Sequence, residues 1–396
     1  MQLSAKRNAV KFFIAYILSA FGYEFIFFVM TIYVYQVTQS ALKVGVFAAL
    51  TYLPRLFATF YGLIVDQYSR AKVFSGVAAI TGCLIIVMAL STNIVWIYLV
   101  WLLISVFLIL IANVRTALMT EIMMQDNYVR GNSLVLILLN IAKVCAPLLA
   151  GVASAALGIT ALFYLTGVAY FLAALFCTNI HLPDLPTTNS KRNIMSNLKE
   201  GLQYMKGNVD VKFLISVGVL WRMFIGLQVS LFVVYITAYL GGSVTDYGMF
   251  MTTIGVGSIL GSLIGPWLVK QLAYFSVVFW GLSIHYASFI LLGLLHNFYA
   301  ALIIALVSYV VFYATLIGLH SLRDKATRVD MRGRIYGSVT AILAPPAIVS
   351  MLTGGYLANL FGVGNVLIAA GVLALVSFYL LLIRLPPKEM HLLPKA

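Results

Sequence analysis

Pro183-Asp184-Leu185-Pro186-Thr187-Thr188-Asn189-Ser190-Lys191-Arg192 opens the longest polar segment of the chain, about 183–210. Everything on either side of it is overwhelmingly apolar. A helix that crosses a bilayer needs about 20 mostly apolar residues, and six such runs precede the segment while six follow it. The first six cover about 12–37, 42–65, 73–91, 94–121, 132–157 and 159–181. The second six cover about 211–240, 246–269, 273–295, 298–321, 334–360 and 365–385. The expected fold is therefore an all-α integral membrane protein of twelve transmembrane helices in two pseudo-symmetric six-helix bundles. Its parts are an N-terminal bundle over 1–182, a linker over 183–210 and a C-terminal bundle over 211–396. Within the linker, Ile194, Leu198, Leu202 and Met205 recur at helical spacing beside Lys191, Arg192, Lys199 and Lys206. That pattern suits an amphipathic helix lying on the membrane surface, and a solvated linker is the alternative.

Composition agrees with the span count. Of the 396 residues 63% are hydrophobic and 9% are charged, against about 25% charged in soluble domains. The first run follows Lys6, Arg7 and Lys11, but it is too long for a signal-peptide core and reads as a span. A formal net charge of +14 can suggest nucleic acid, yet the distribution of the 25 Lys and Arg excludes that reading. Twenty of them lie in the termini and in the loops on the same side as the termini, whereas the opposite loops hold Lys43 alone. The positive-inside rule then places both termini in the cytoplasm. Cys83, Cys145 and Cys177 sit in apolar runs at no metal-ligand spacing, so neither a disulfide framework nor a metal site is expected.

The halves echo each other. The fourth span leads through a charged loop and Arg130-Gly131-Asn132-Ser133 into a span with Pro147 and Gly151. The tenth leads through a charged loop and Arg332-Gly333-Arg334 into a span with Pro345, Pro346, Gly354 and Gly355. Internal repeats of this kind are a transporter feature. Gly257, Gly261 and Gly265 recur every fourth residue, a face on which helix backbones can approach closely.

After the second span stands Gly62-Leu63-Ile64-Val65-Asp66-Gln67-Tyr68-Ser69-Arg70-Ala71-Lys72. With six plus six spans around it, this loop resembles the major facilitator superfamily signature G-x-x-x-D-x-x-G-R-x-R/K. Gly62, Asp66, Arg70 and Lys72 match, and Ser69 replaces the second glycine. The resemblance implies a cytoplasmic latch in which Asp66 and Arg70 hold two helices together in the outward-facing state. Asn113-Val114-Arg115 followed by Glu121, Ala146-Pro147-Leu148-Leu149-Ala150-Gly151 and Glu200-Gly201-Leu202-Gln203-Tyr204-Met205 resemble bacterial exporters of the enterobactin-exporter and macrolide-efflux type. Alanine stands at positions 146 and 150 where those exporters carry glycine.

Few charges remain inside the spans. The cations are Arg55, Arg115, Lys143 and Arg222, and Glu24 is the one acid well inside a span. Ionisable groups in hydrocarbon are costly and are functional candidates by default. Glu24 lies 12 residues beyond Phe12, Arg55 lies 11 before Asp66, Lys143 lies 12 beyond Gly131 and Arg222 lies 10 beyond Lys212. At about 1.5 Å per residue these four sit roughly 15–18 Å deep, near the middle of a core about 30 Å thick; Arg115 reads as shallower. Transporters of this design bind substrate at the midplane. In the resembled family spans one, four, seven and ten line the central cavity, beside two, five, eight and eleven. The five charges fall on spans one, two, four, five and seven. Tyr309 and Tyr313 share a face of the tenth span with His320, and Trp221, Gln228 and Tyr235 follow one another at sevens on the seventh.

The charge inventory suggests a small organic anion as substrate, with Arg55 and Arg222 as carboxylate or catecholate clamps. Arg115, Lys143, Tyr309 and Tyr313 complete the expected binding set, and Glu24 is the expected proton-coupling residue. The other reading of the same charges is internal pairing of Glu24 with Arg55 or Lys143. His285, on a span peripheral in the family, reads as a packing histidine. An enzyme would need a nucleophile–base set, paired acids or a metal cluster, and none is visible; nor is a Gly-x4-Gly-Lys-Ser/Thr phosphate loop. The expectation is a monomeric secondary transporter of the bacterial inner membrane, without cofactor, exporting a siderophore- or metallophore-like anion by proton antiport and alternating access. A multidrug or macrolide efflux pump is the first alternative and a metabolite importer the second.

Overall fold

The computed structural model describes residues 2–57, 69–122, 128–178, 180, 209–272, 274–326 and 332–385. Apolar runs of 19 residues and more have no polar partner for their backbone except their own turns, so each forms a helix. The described residues form twelve α-helices and no strand. The first six are α1 (Gln2–Thr38), α2 (Ala41–Tyr52), α3 (Arg70–Met88), α4 (Ile94–Ile122), α5 (Tyr128–Leu157) and α6 (Ile159–Thr178). The others are α7 (Val209–Val234), α8 (Val244–Gln271), α9 (Tyr274–Leu294), α10 (Phe298–Ala326), α11 (Arg332–Phe361) and α12 (Val363–Arg384). Every expected span has its helix, and eleven of the helices are long and apolar enough over their described residues to cross a membrane. Of the second span, α2 continues into a 3₁₀ turn over Leu53–Phe57, and the remainder lies outside the described residues.

Local punctuation accounts for the helix ends. Ser243 caps α8 by accepting from the Asp246 backbone N–H while the Asp246 carboxylate accepts from the Ser243 backbone, a reciprocal capping box. Gly362, at φ +80°, turns the chain between α11 and α12 in a left-handed conformation that favours glycine. Pro147 lies inside α5, and Pro345 and Pro346 lie inside α11. At the end of α7 the chain passes through a π-helical turn, Tyr235–Tyr239, where the sequence pattern reads as one continuous span. That turn is held by Tyr239, whose hydroxyl donates to the Gly293 carbonyl of α9 at 2.6 Å.

Two compact units result, one of residues 1–39 and 50–190 and one of residues 40–49 and 191–396. In the first unit α1 packs on α5 and α6, and α3 packs on α4 and α6. In the second, α7 packs on α11 and α12, and α9 packs on α10 and α12. These are the same pairings shifted by six helices, so the repeat suggested by the Pro- and Gly-bearing spans is a repeat of packing. Within the second unit α8 also packs on α10. It uses the glycine face: a Cβ on Gly261 would strike the Val310 carbonyl, and Gly257 and Gly265 face Tyr309 and Ala314. Residues 40–49 join the second unit through α11, where Asn359 accepts from the Ala41 backbone N–H at 3.1 Å and donates to Ser40 Oγ at 2.9 Å.

Candidate functional site

The first unit gathers most of the embedded charge. Glu24 stands midway along α1, on a face whose neighbours Tyr16, Ala20, Phe28 and Thr31 are buried. Lys143 comes from α5, Arg55 from the 3₁₀ turn after α2, and Arg115 from α4. Glu24 lies within the electrostatic reach of all three, Lys143 most strongly, then Arg55, then Arg115. Arg115, expected nearer the membrane surface, is the weakest of the three influences on Glu24. Glu24, Arg55 and Arg115 are half-buried, and the Lys143 side chain is exposed. One acid among three cations leaves this cluster at about +2 if each group keeps its ordinary ionisation.

Tyrosines orient the guanidinium groups. Arg55 lies over the Tyr52 ring, 4.1 Å from its centroid, and donates from Nη2 to the Tyr23 hydroxyl at 3.3 Å. Arg115 lies over Tyr16 at 4.2 Å. A ring below the guanidinium face supplies cation–π attraction without using any N–H; at Arg55 part of the donor edge is given to the Tyr23 hydroxyl, and at Arg115 the stacking on Tyr16 does not occupy it. The Nε of Arg115 is buried and has no hydrogen-bond partner among the described residues. Tyr170 of α6 closes the cluster behind α1: its hydroxyl donates to the Ser19 carbonyl at 3.3 Å, and its ring fills the space beside Gly22. Tyr23, Tyr52 and Tyr170 escape a reading based on charge alone. The one sequence signal for Tyr52 is its place three residues before Arg55, one helical turn away.

In the second unit, Arg222 lies on α7, half-buried, with its guanidinium 4.9 Å from the ring of its neighbour Trp221. The Trp221 indole N–H is buried without a hydrogen-bond partner among the described residues, and its ring stands 5.8 Å from Phe312 of α10. Tyr309 is buried and donates to Gln228 Oε1 at 2.6 Å, tying α10 to α7. Its hydroxyl is therefore already engaged within the unit. Tyr313, four residues further on, is half-buried and packs beside Gly261. His285 is fully buried among Phe224, Phe289, Tyr309 and Phe312, with Nδ1 2.8 Å from Ser308 Oγ and Nε2 buried with no hydrogen-bond partner among the described residues. His320 is exposed.

Of the latch residues, Arg70 and Lys72 form the first turn of α3, while Gly62 and Asp66 lie outside the described residues. So does the expected amphipathic linker. Among the described residues there is no cluster of His, Cys, Asp and Glu able to hold a metal ion.

The Major Facilitator Superfamily profile matches residues 12–344, most of both units. The chain belongs to this superfamily. It is accordingly a multi-pass membrane transporter of the major facilitator type. An uncharacterised major facilitator transporter of Bacillus subtilis (strain 168), YfiS, is 24% identical over 367 residues, covering 87% of this chain and 85% of that protein. Among solved structures, the nucleoside transporter NupG superposes with a TM-score of 0.81 at 13% identity, over 96% of this chain and 100% of that one. A bacterial homologue of the iron transporter ferroportin, inward-facing, superposes with a TM-score of 0.73 at 17% identity, over 95% and 98%. At such identities these structures establish the fold and carry no substrate over.

Proposed function

We propose that this transporter is a secondary carrier of a small organic anion, coupled to protons at Glu24 and working by alternating access in the bacterial inner membrane with both termini in the cytoplasm. The observation that supports it best is the charge imbalance of the first unit, where Lys143, Arg55 and Arg115, from three separate elements, stand against one embedded acid, Glu24. Cations placed in an apolar span are costly unless they meet negative charge, and one carboxylate does not neutralise three of them. In the second unit, α7 carries a cation of its own, Arg222, beside the Trp221 indole N–H, a buried donor without a partner among the described residues. The segments 113–115, 146–151 and 200–205 resemble exporters, which favours export as the direction and a siderophore- or metallophore-like acid as the cargo.

The deciding experiment compares small anionic metabolites inside and outside cells with and without the gene. Intracellular accumulation of an iron-regulated chelator in the deletion strain supports the proposal. Unchanged secretion together with new drug sensitivity would replace it with multidrug efflux.

A further inference from the structure

The protons around His285 can be counted. Ser288 Oγ stands 2.6 Å from the His285 carbonyl and 2.6 Å from Ser308 Oγ, which in turn stands 2.8 Å from His285 Nδ1. A carbonyl brings no proton to a hydrogen bond, and each hydroxyl brings one. All three bonds can therefore form together in one way only. Ser288 donates to the carbonyl, Ser308 donates to Ser288, and the imidazole Nδ1–H donates to Ser308. In a neutral imidazole that proton is the ring's only one, so Nε2 is a bare acceptor. It is buried and meets no donor among the described residues.

Two nearby donors are also buried and unpaired among the described residues, the Trp221 indole N–H of α7 and the Tyr286 hydroxyl of α9. The Tyr309 hydroxyl is already given to Gln228. Tyr286 follows His285 directly and so is turned about 100° round the helix, with its ring against Phe224 and Phe378. Trp221 instead lies on the face of α7 that looks toward His285. Phe224, one turn on, has its ring 6.4 Å from the imidazole. Gln228, two turns on, holds Tyr309, whose ring is 5.5 Å from it. Trp221 and His285 also share a neighbour, Phe312 of α10, whose ring stacks on His285 at 4.3 Å and stands 5.8 Å from Trp221. We propose that Phe312 is a removable wedge: once its ring is withdrawn, Trp221 Nε1–H donates to His285 Nε2. A ring contact between α7 and α10 is then exchanged for a hydrogen bond between α7 and α9. Pairing relieves two unsatisfied groups and gives up ring contacts. These changes oppose each other, which is what gives the second unit two discrete internal arrangements. The Arg222 guanidinium rests 4.9 Å from the Trp221 ring centroid, so the exchange reaches the embedded cation of α7. The switch goes beyond the anion-carrier reading and holds whatever the cargo.

Nuclear magnetic resonance of the full-length protein in nanodiscs, labelled with [15N]tryptophan and [15N]histidine, tests the wedge without any substrate. Trp221→Phe and His285→Phe assign the two signals by their loss. In the wild type, His285 is expected to carry its proton on Nδ1 and none on Nε2, and the Trp221 indole proton to resonate upfield, as an unpaired N–H does. Phe312→Ala is expected to move that indole proton downfield and to slow its exchange with deuterium about tenfold, the worth of one net hydrogen bond. Adding His285→Phe to Phe312→Ala should reverse both changes. A proton on His285 Nε2 in the wild type overturns the proposal, because the acceptor is then missing. So does a Trp221 signal in Phe312→Ala that His285→Phe leaves unchanged. Phe312→Leu, apolar and bulkier than alanine, takes the place of Phe312→Ala if the latter does not fold.

Discussion

Arg115 carries a guanidinium stacked 4.2 Å over Tyr16 and a buried Nε without a hydrogen-bond partner among the described residues. A buried donor left unpaired costs about 1–3 kcal/mol, more on a charged group, and an acceptor arriving there recovers that energy. Arg115→Gln is therefore expected to weaken binding of benzene-1,3,5-tricarboxylate at least tenfold, and Arg115→Lys to restore only part of it, because the ammonium lacks the planar donor edge; calorimetry in nanodiscs reads both. Tyr309 makes a different contribution. Tyr309→Phe removes the 2.6 Å bond to Gln228 and leaves its Oε1 wanting a donor, so a loss of about 1–2 kcal/mol is expected, seen as a thermal unfolding midpoint lowered by a few degrees. As candidates, Glu24, Arg55, Lys143 and Arg222 could be picked out from the sequence, since an ionisable residue in an apolar run has to be explained. The tyrosines that orient the arginines were not, because 23 tyrosines leave no contrast by which Tyr23 or Tyr170 could be singled out.

Among the helices, the glycine face of α8 shows what a local pattern can and cannot say. The spacing of Gly257, Gly261 and Gly265 announced a close approach, but only the packing identifies α10 as the partner and the Val310 carbonyl as the limit at Gly261. Gly261→Val is expected to push α8 off α10 and to cost about 1–3 kcal/mol. Gly76→Ala on α3 meets nothing within 4 Å and should leave the unfolding midpoint unchanged or slightly raised, since alanine loses less backbone entropy in a helix. Thermal unfolding in detergent compares the two. The π turn at Tyr235–Tyr239 was invisible in the sequence. A run such as Val233-Val234-Tyr235-Ile236-Thr237 is equally compatible with α geometry, and what selects the wider turn includes the tertiary bond of Tyr239 to the Gly293 carbonyl.

For the molecule as a whole, the repeat of helix pairing in the two units, α1 with α5 and α6 against α7 with α11 and α12, explains why twelve apolar runs divided by one polar segment were enough to anticipate the fold. The site was less legible, because hydropathy and depth place a charge along the membrane normal but do not say which helix faces it. The placement of 20 cations in the termini and same-side loops, against Lys43 opposite, makes topology testable. A C-terminal green fluorescent protein fusion is expected to fluoresce and a C-terminal alkaline phosphatase fusion to be inactive, as cytoplasmic termini require; the reverse pattern would refute that orientation. The most direct test of anion carriage through the Glu24 cluster is electrical. Proteoliposomes on a solid-supported membrane receive a concentration jump of benzene-1,3,5-tricarboxylate, and separately of the lipophilic cation tetraphenylphosphonium. The expected result is a current carrying negative charge into the liposomes with the tricarboxylate alone, abolished in the Arg55→Gln, Arg115→Gln, Lys143→Gln triple variant. A current with tetraphenylphosphonium and none with the tricarboxylate, or a tricarboxylate current untouched by the triple substitution, would contradict it.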